Sequence, residues 1–191
     1  MASRKETDTK DRILDVVLDL IAERGFHDAP ISEIAKRAGT GPGLIYHYFP
    51  SKEYLIHQVY LRVRTIKRQA LTEGYSTELS TEEAYTQQWI QAYHFYKKHT
   101  REARFLEQYE NSPYCGAGPD LKSGDYDDNL LHFLSSFRPK KAGGVLADLP
   151  PEALHAMSFG LALKLASSKD FLKPAMLKRI AAASWRALTT E

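Results

Sequence analysis

The feature that most constrains this chain is the spacing of its apolar residues. From Ile13 to Leu188 they recur at three- and four-residue intervals, and no segment alternates with period two long enough to argue a sheet. The chain is therefore read as all-α, with about nine helices. Asp8 or Thr9 can cap a first helix with Ile13, Leu14, Val17, Leu18 and Ile21 on one face, ending before Gly25. A short second helix turns Ile31, Ile34, Ala35 and Ala38 inward and stops at Gly39. A third short helix ends at Phe49, before Pro50. Ser51 caps a long fourth helix over 52–72, with Leu55, Val59, Val63 and Ile66 at helical spacing. Ser80 or Thr81, followed by Glu82 and Glu83, opens a fifth. Further helices are expected over 101–110, 125–137, 150–168 and 174–188, with loops at Asn111 to Gly124 and Arg138 to Leu149.

Composition narrows the class. Apolar residues at 43% and charged residues at 26% exclude wholesale disorder. No apolar run approaches the roughly 18 residues a membrane helix needs. The start, Met-Ala-Ser-Arg-Lys-Glu-Thr, has no apolar core behind its charge, so no signal peptide is expected and the chain is read as cytoplasmic. The single cysteine, Cys115, forbids an internal disulfide and a Cys-rich zinc site. His94 and His99 stand five apart, the wrong spacing for one helix face, so no metal and no cofactor are expected. No phosphate loop, nucleophile elbow or carboxylate pair argues for an enzyme. Net charge is +2, with zero over 1–52, +3 over 53–72 and −1 over 73–191. A DNA-binding role would thus use a few placed residues and not a broad basic surface. The cluster Arg62, Arg64, Lys67 and Arg68 reads as a solvated helix face, with a DNA or partner contact as the alternative.

Residues 31–49 read as helix, tight turn, helix. Gly41 is tolerated as an N-cap, and Pro42 suits the first helical position, where an N–H would be unpaired anyway. On a helical wheel Leu44, Ile45, Tyr48 and Phe49 can pack inward, while Pro42, Gly43, Tyr46 and His47 form the opposite face. So short a helix needs bracing by its neighbours. What it then offers outward is a phenol, an imidazole and a backbone almost bare of side chains, as entry into a DNA major groove requires.

The run Ala38-Gly-Thr-Gly-Pro-Gly-Leu-Ile-Tyr-His-Tyr-Phe-Pro-Ser-Lys-Glu-Tyr-Leu55 resembles the signature of the TetR family of bacterial transcription regulators. The resemblance covers roughly the first 55–60 residues, in register at Ile34-Ala35, Ala38-Gly39, Gly43, Tyr46, Phe49 and Lys52. It implies a helix-turn-helix head over 1–52, a connecting helix over 52–72, and a ligand-binding and dimerisation body within 53–191. It places Tyr46 and Lys52 on phosphates, and Thr40, Pro42, Leu44 and His47 toward the groove. The family commonly has a small polar residue where Gly41 stands and often Thr or Ser near Pro30; Ser32 can compensate for the missing hydroxyls. The implied function is a ligand-responsive repressor that binds a palindromic or near-palindromic DNA operator as a homodimer, without a membrane. The rival readings are an all-α small-molecule enzyme or carrier with an incidental helix-turn-helix, and an architectural DNA-binding protein without inducer.

Two groups of body residues carry expectations of their own. Trp89, Tyr93 and Tyr96 share a helix face, and with Tyr109, Phe133, Phe137, His155 and Phe159 they can wall a cavity for an aromatic or amphipathic inducer; the plainer reading is core packing. Ala156 and Gly160, with Ala182 and Ser184 framed by Ile180 and Trp185, place small residues on the last two helices, where two copies could approach closely as a dimer.

Overall fold

The computed structural model describes residues 2–115 and 137–190. Among them the regular structure is helical, apart from one bridge between Pro139 and Leu146. In chain order come α1 (Ala2–Arg24), α2 (Ile31–Arg37), α3 (Pro42–Tyr48), α4 (Lys52–Thr72), α5 (Thr81–Lys98), α6 (Thr100–Glu110), α7 (Pro151–His155), α8 (Leu161–Ala166) and α9 (Pro174–Thr189). The helix expected over 125–137 lies outside the described residues as far as 136. Two expectations need correction. The first helix begins at Ala2 and not at Asp8 or Thr9: no Gly or Pro precedes those residues, and extending a formed helix costs little. The helix expected over 150–168 is interrupted, with a π-helical turn over Ala156–Gly160 between α7 and α8.

The chain packs as two compact units, Met1–Ile66 with His99–Asp120, and Lys67–Lys98 with Leu121–Glu191. This division of packing falls inside α4, whereas the division of roles expected from the sequence falls at residue 52.

In the first unit α1 is the spine. Ile13, Val17, Leu20 and Ile21 have no solvent exposure, and α1 packs on α2 and α6. Gly25 ends α1 with φ at +85°, a left-handed conformation open to glycine at little cost, and its N–H closes onto the Ile21 carbonyl at 2.9 Å. The polar side of α1 holds Asp11, Asp15 and Asp19, one turn apart. Arg62 of α4 pairs with Asp11 at 3.6 Å and Asp15 at 3.4 Å. Arg101 of α6 pairs with Asp15 at 3.6 Å and Asp19 at 3.0 Å. Asp15 therefore serves both cations.

In the second unit α5 is central and packs on α8 and α9. Its buried residues include Ala84, Tyr85, Gln88, Trp89, Ala92, Tyr93 and Tyr96. The π turn is held from two sides. At Ser158 the backbone leaves helical geometry (φ −105°, ψ −108°). The Trp89 indole N–H donates to the Ser158 carbonyl at 3.1 Å, and the Ser184 hydroxyl donates to the Met157 carbonyl. With its proton so engaged, Ser184 Oγ accepts from the Tyr85 hydroxyl. Burial pushes the Tyr85 phenol up to about 12.

Candidate nucleic-acid interface

The helix-turn-helix is assembled from backbone bonds over a filled core. The Pro30 carbonyl accepts from Glu33 and Ile34, opening α2. At its end Gly39 adopts φ +61°, and the Thr40 N–H returns to the Ala35 carbonyl at 2.9 Å. Gly41 caps α3 in extended conformation, Pro42 takes the first helical position, and the Gly41 carbonyl accepts from Leu44 at 3.1 Å. Ile34, Ala35, Ala38, Ile45 and Phe49 are all buried. Arg37 clamps α2 to α1 through Glu23 at 3.1 Å and braces α2 itself through Glu33 at 3.2 Å; the hydrogen bonds to Glu23 and then Glu33 raise its pKa.

The outward face of α3 carries Gly41, Pro42, Gly43, Leu44, Tyr46 and His47, all exposed. Tyr46 is 50% exposed and Leu44 41%. The wheel expectation that Leu44 packs inward is thus corrected: Ile45 and Phe49 already fill the inner face of this seven-residue helix. Gly41 and Gly43 have ordinary negative φ, and a Cβ added at either meets no atom within 4 Å. No packing among the described residues requires glycine there. What bare backbone at these positions permits is close approach from outside. The His47 ring lies edge-on to Tyr48 at 5.2 Å, and the Lys10 ammonium stands 5.2 Å over the Tyr48 ring. Thr40 is half-buried and Ser32 exposed.

Ser51 caps α4 by accepting from the Tyr54 N–H at 3.1 Å. The half-buried Lys52 beside it donates to the Phe26 carbonyl at 3.4 Å, a long bond that leaves an ammonium with further protons to give. The basic cluster of α4 is engaged inside its units. Arg62 ties α1, Arg64 stands 5.5 Å over the Tyr60 ring, and Lys67 stands 5.0 Å over Tyr96 and 5.7 Å over Phe159.

The other expected site residues are placed as follows. Trp89, Tyr93 and Tyr96 are buried, and the Tyr93 hydroxyl accepts from the Leu172 N–H at 2.9 Å. Phe137 and Phe159 gather around Tyr85, at 5.7 and 6.3 Å. Tyr109 belongs to the first unit, stacked on Tyr60 at 4.2 Å. His155 is exposed, and Phe133 lies outside the described residues. Ala156, Ile180, Ala182 and Ser184 line one open groove of ≈ 710 Å³ with Met157, Leu161 and Met176. Gly160 is half-buried. Trp185 instead turns to Tyr85 and Phe137, and Ser184 is bonded inward. Sequence reasoning missed Tyr85, although its four-residue spacing from Trp89 marks it. It also missed His57, buried on α4 with neither ring nitrogen bonded, its pKa lowered by burial and by Arg64. Among the described residues no His/Cys/Asp/Glu group could hold a metal, and no helix is long and apolar enough to cross a membrane.

A short helix held out on a braced two-helix scaffold, with an unobstructed glycine backbone and polar tips, defines a helix-turn-helix DNA-binding protein. The model of bacterial regulatory proteins of the tetR family matches residues 13–59, and that of the tetracyclin repressor-like C-terminal domain matches residues 81–189. The chain belongs to the TetR family of transcriptional regulators. It is 29% identical over 188 residues to an HTH-type transcriptional regulator of Haemophilus influenzae, covering 96% of this chain and 97% of that one. The crystal structure of a TetR-family regulator from the same species superposes with a TM-score of 0.72 at 28% identity, covering 97% and 99%. A TetR-family structure from Marinobacter aquaeolei, 18% identical with a TM-score of 0.74 and both chains fully covered, shares the fold.

Proposed function

We propose that this regulator is a homodimeric repressor that reads a palindromic or near-palindromic operator in the cytoplasm and releases it when a small molecule binds the second unit. The outward face of α3 is the observation that supports operator reading: exposed Leu44, Tyr46 and His47 stand beside two glycines whose missing side chains serve no internal packing. Tyr46 and Lys52 hold phosphates. Thr40, Pro42, Leu44 and His47 face base edges, with Leu44 suited to a thymine methyl and His47 to a hydrogen bond. Ser32 and Gly41 lie at the margin of the contact. The second copy meets the groove lined by Ala156, Ile180 and Ala182, with Gly160 beside it and Ser184 and Trp185 behind it. The effector lies against the aromatic side chains of the second unit, among them Trp89, Tyr96, Phe137 and Phe159.

Selection of bound sequences from random duplexes tests the reading. A two-half-site consensus is expected, with His47→Ala changing preference at one base position and Tyr46→Phe weakening all sequences alike. Lys52→Ala should flatten the plot of log K against log salt by about one unit per half-site. Recovery of no consensus would overturn operator reading, and an unchanged slope would remove Lys52 from the phosphate.

A further inference from the structure

Beside its aromatic stripe α5 carries a second buried feature that no contact among the described residues accounts for. Gln88 is 2% exposed, and its Nε2 has no hydrogen-bond partner. Three residues on, Gln91 donates its own Nε2–H to the Glu73 carbonyl, while its buried Oε1 is unpartnered. The Gln91 amide cannot be turned over, because its oxygen would then face the Glu73 carbonyl, acceptor against acceptor. Positions three apart share one side of a helix. An unsatisfied donor and an unsatisfied acceptor therefore lie on the same side of α5, about one turn apart. One turn before and one turn after Gln88 are Ala84 and Ala92, both buried. Neither methyl side chain offers a polar atom to the Gln88 amide. Buried polar groups in native proteins are overwhelmingly paired, so two orphans of opposite kind call for a missing partner.

We propose that Gln88 and Gln91 are the recognition pair for the uncharged polar head of a small molecule, a carboxamide or hydroxyl carried on an apolar body that lies along Ala84 and Ala92. The head accepts from Gln88 Nε2 and donates to Gln91 Oε1. A carboxylate could accept from Gln88 but would repel Gln91 Oε1. An ammonium could donate to Gln91 but would repel the Gln88 amide hydrogens. The pair thus selects neutral ligands. This rests on the reading of the second unit as the effector-binding one and narrows the effector's chemistry.

Thermal unfolding of the full chain without DNA tests it, with benzamide as probe and benzoate and benzylamine as charged controls on the same ring. At about 50 mM, a range suited to so small a ligand, benzamide should raise Tm by about 2–4 °C, and the controls should not. The shift should vanish in Gln88→Met and in Gln91→Met, the second variant serving if the first does not fold. Gln88→Met alone should raise Tm, because an apolar chain of similar length removes an unpaired buried amide. Three results would overturn the proposal: no benzamide shift in the wild type, an equal shift in both variants, or a crystal structure in which one water bridges the two amides and benzamide does not displace it. Since no DNA enters the measurement, such a failure leaves operator release through another site standing.

Discussion

Tyr46 of the first unit and Tyr85 and Tyr93 of the second do opposite work. On α3, seven residues long, Tyr46 is 50% exposed. On α5, Tyr85 is 1% exposed and bonded to Ser184, while Tyr93 holds the Leu172 N–H. The residue type is the same, and burial decides the role. An exposed phenol on a braced helix is a probe for something outside the chain. A buried phenol must find an internal partner, and in doing so it ties elements together. The first unit places Tyr46 and its ion-pair ladder at the surface, with His57 and Tyr109 as buried exceptions. The second places Tyr85, Trp89 and Ser184 in its core, around the broken helix between α7 and α8.

The most severe break in this contrast is Trp89→Ala. It removes a fully buried indole and the donor to the Ser158 carbonyl, and should cost about 3–5 kcal/mol of stability. Tyr46→Ala, by comparison, should leave stability within about 0.5 kcal/mol and, on the proposed phosphate contact, weaken binding to all DNA sequences by about 1.5–3 kcal/mol. Urea unfolding and operator binding on both variants check the pair. A Tyr46→Ala protein as unstable as Trp89→Ala would abolish the distinction.

Titration separates the units next. In the folded chain Tyr85 is pushed up to about 12, so the native state keeps a proton that the unfolded chain releases near 10. That contribution is complete below pH 10 and should be lost, by about 2–3 kcal/mol, as pH rises to 12. Tyr85→Phe should remove this alkaline limb. His57 works at the other end. Its lowered pKa means the unfolded chain binds a proton more readily, so stability falls as pH drops below its ordinary 6.5. His57→Leu should flatten the acid limb and leave the alkaline one unchanged. Urea midpoints from pH 5 to 11.5 read both limbs, and one limb responding to both variants would show that the assignments are wrong.

How much of this was legible in the sequence follows the same division. The turn Gly39-Thr40-Gly41-Pro42 is specified locally, by residues whose backbone preferences leave few alternatives, so its caps and both short helices are found where expected. Leu44 was misjudged on packing because the wheel does not say how much of a short helix its neighbours cover. The interruption at Ser158 was illegible for a different reason. Ala156-Met-Ser-Phe-Gly160 contains no proline, and the turn is sustained by Trp89 and Ser184, both more than 20 residues away in the chain. Long-range hydrogen bonds leave no periodic trace. The orphaned amides of Gln88 and Gln91 are hidden likewise, since glutamine is an ordinary helix former.

The smallest expected effect sharpens the contrast most. Arg62 is 33% exposed and reaches Asp11 and Asp15, themselves 55% and 41% exposed, so these rungs of the ladder on α1 lie in water, where each ion pair contributes about 0–1 kcal/mol and salt screens it. Ser184 is buried, and removing its hydroxyl leaves the Tyr85 hydroxyl and the Met157 carbonyl without their partner, at about 1–3 kcal/mol. Arg62→Ala should therefore lower stability by under about 1 kcal/mol at low salt and by still less at about 1 M salt, where the screening length falls to roughly 3 Å. Ser184→Ala should cost the same at both. Because Arg62 shares Asp15 with Arg101, the two arginine substitutions should not add: once one cation is gone, Asp15 is wholly available to the other. A double-mutant cycle on Arg62→Ala and Arg101→Ala, run at both salt concentrations, measures that coupling. Strict additivity, or an Arg62→Ala loss that salt does not reduce, would mean that the arginine stems, through packing, and not their charges hold α4 and α6 to α1.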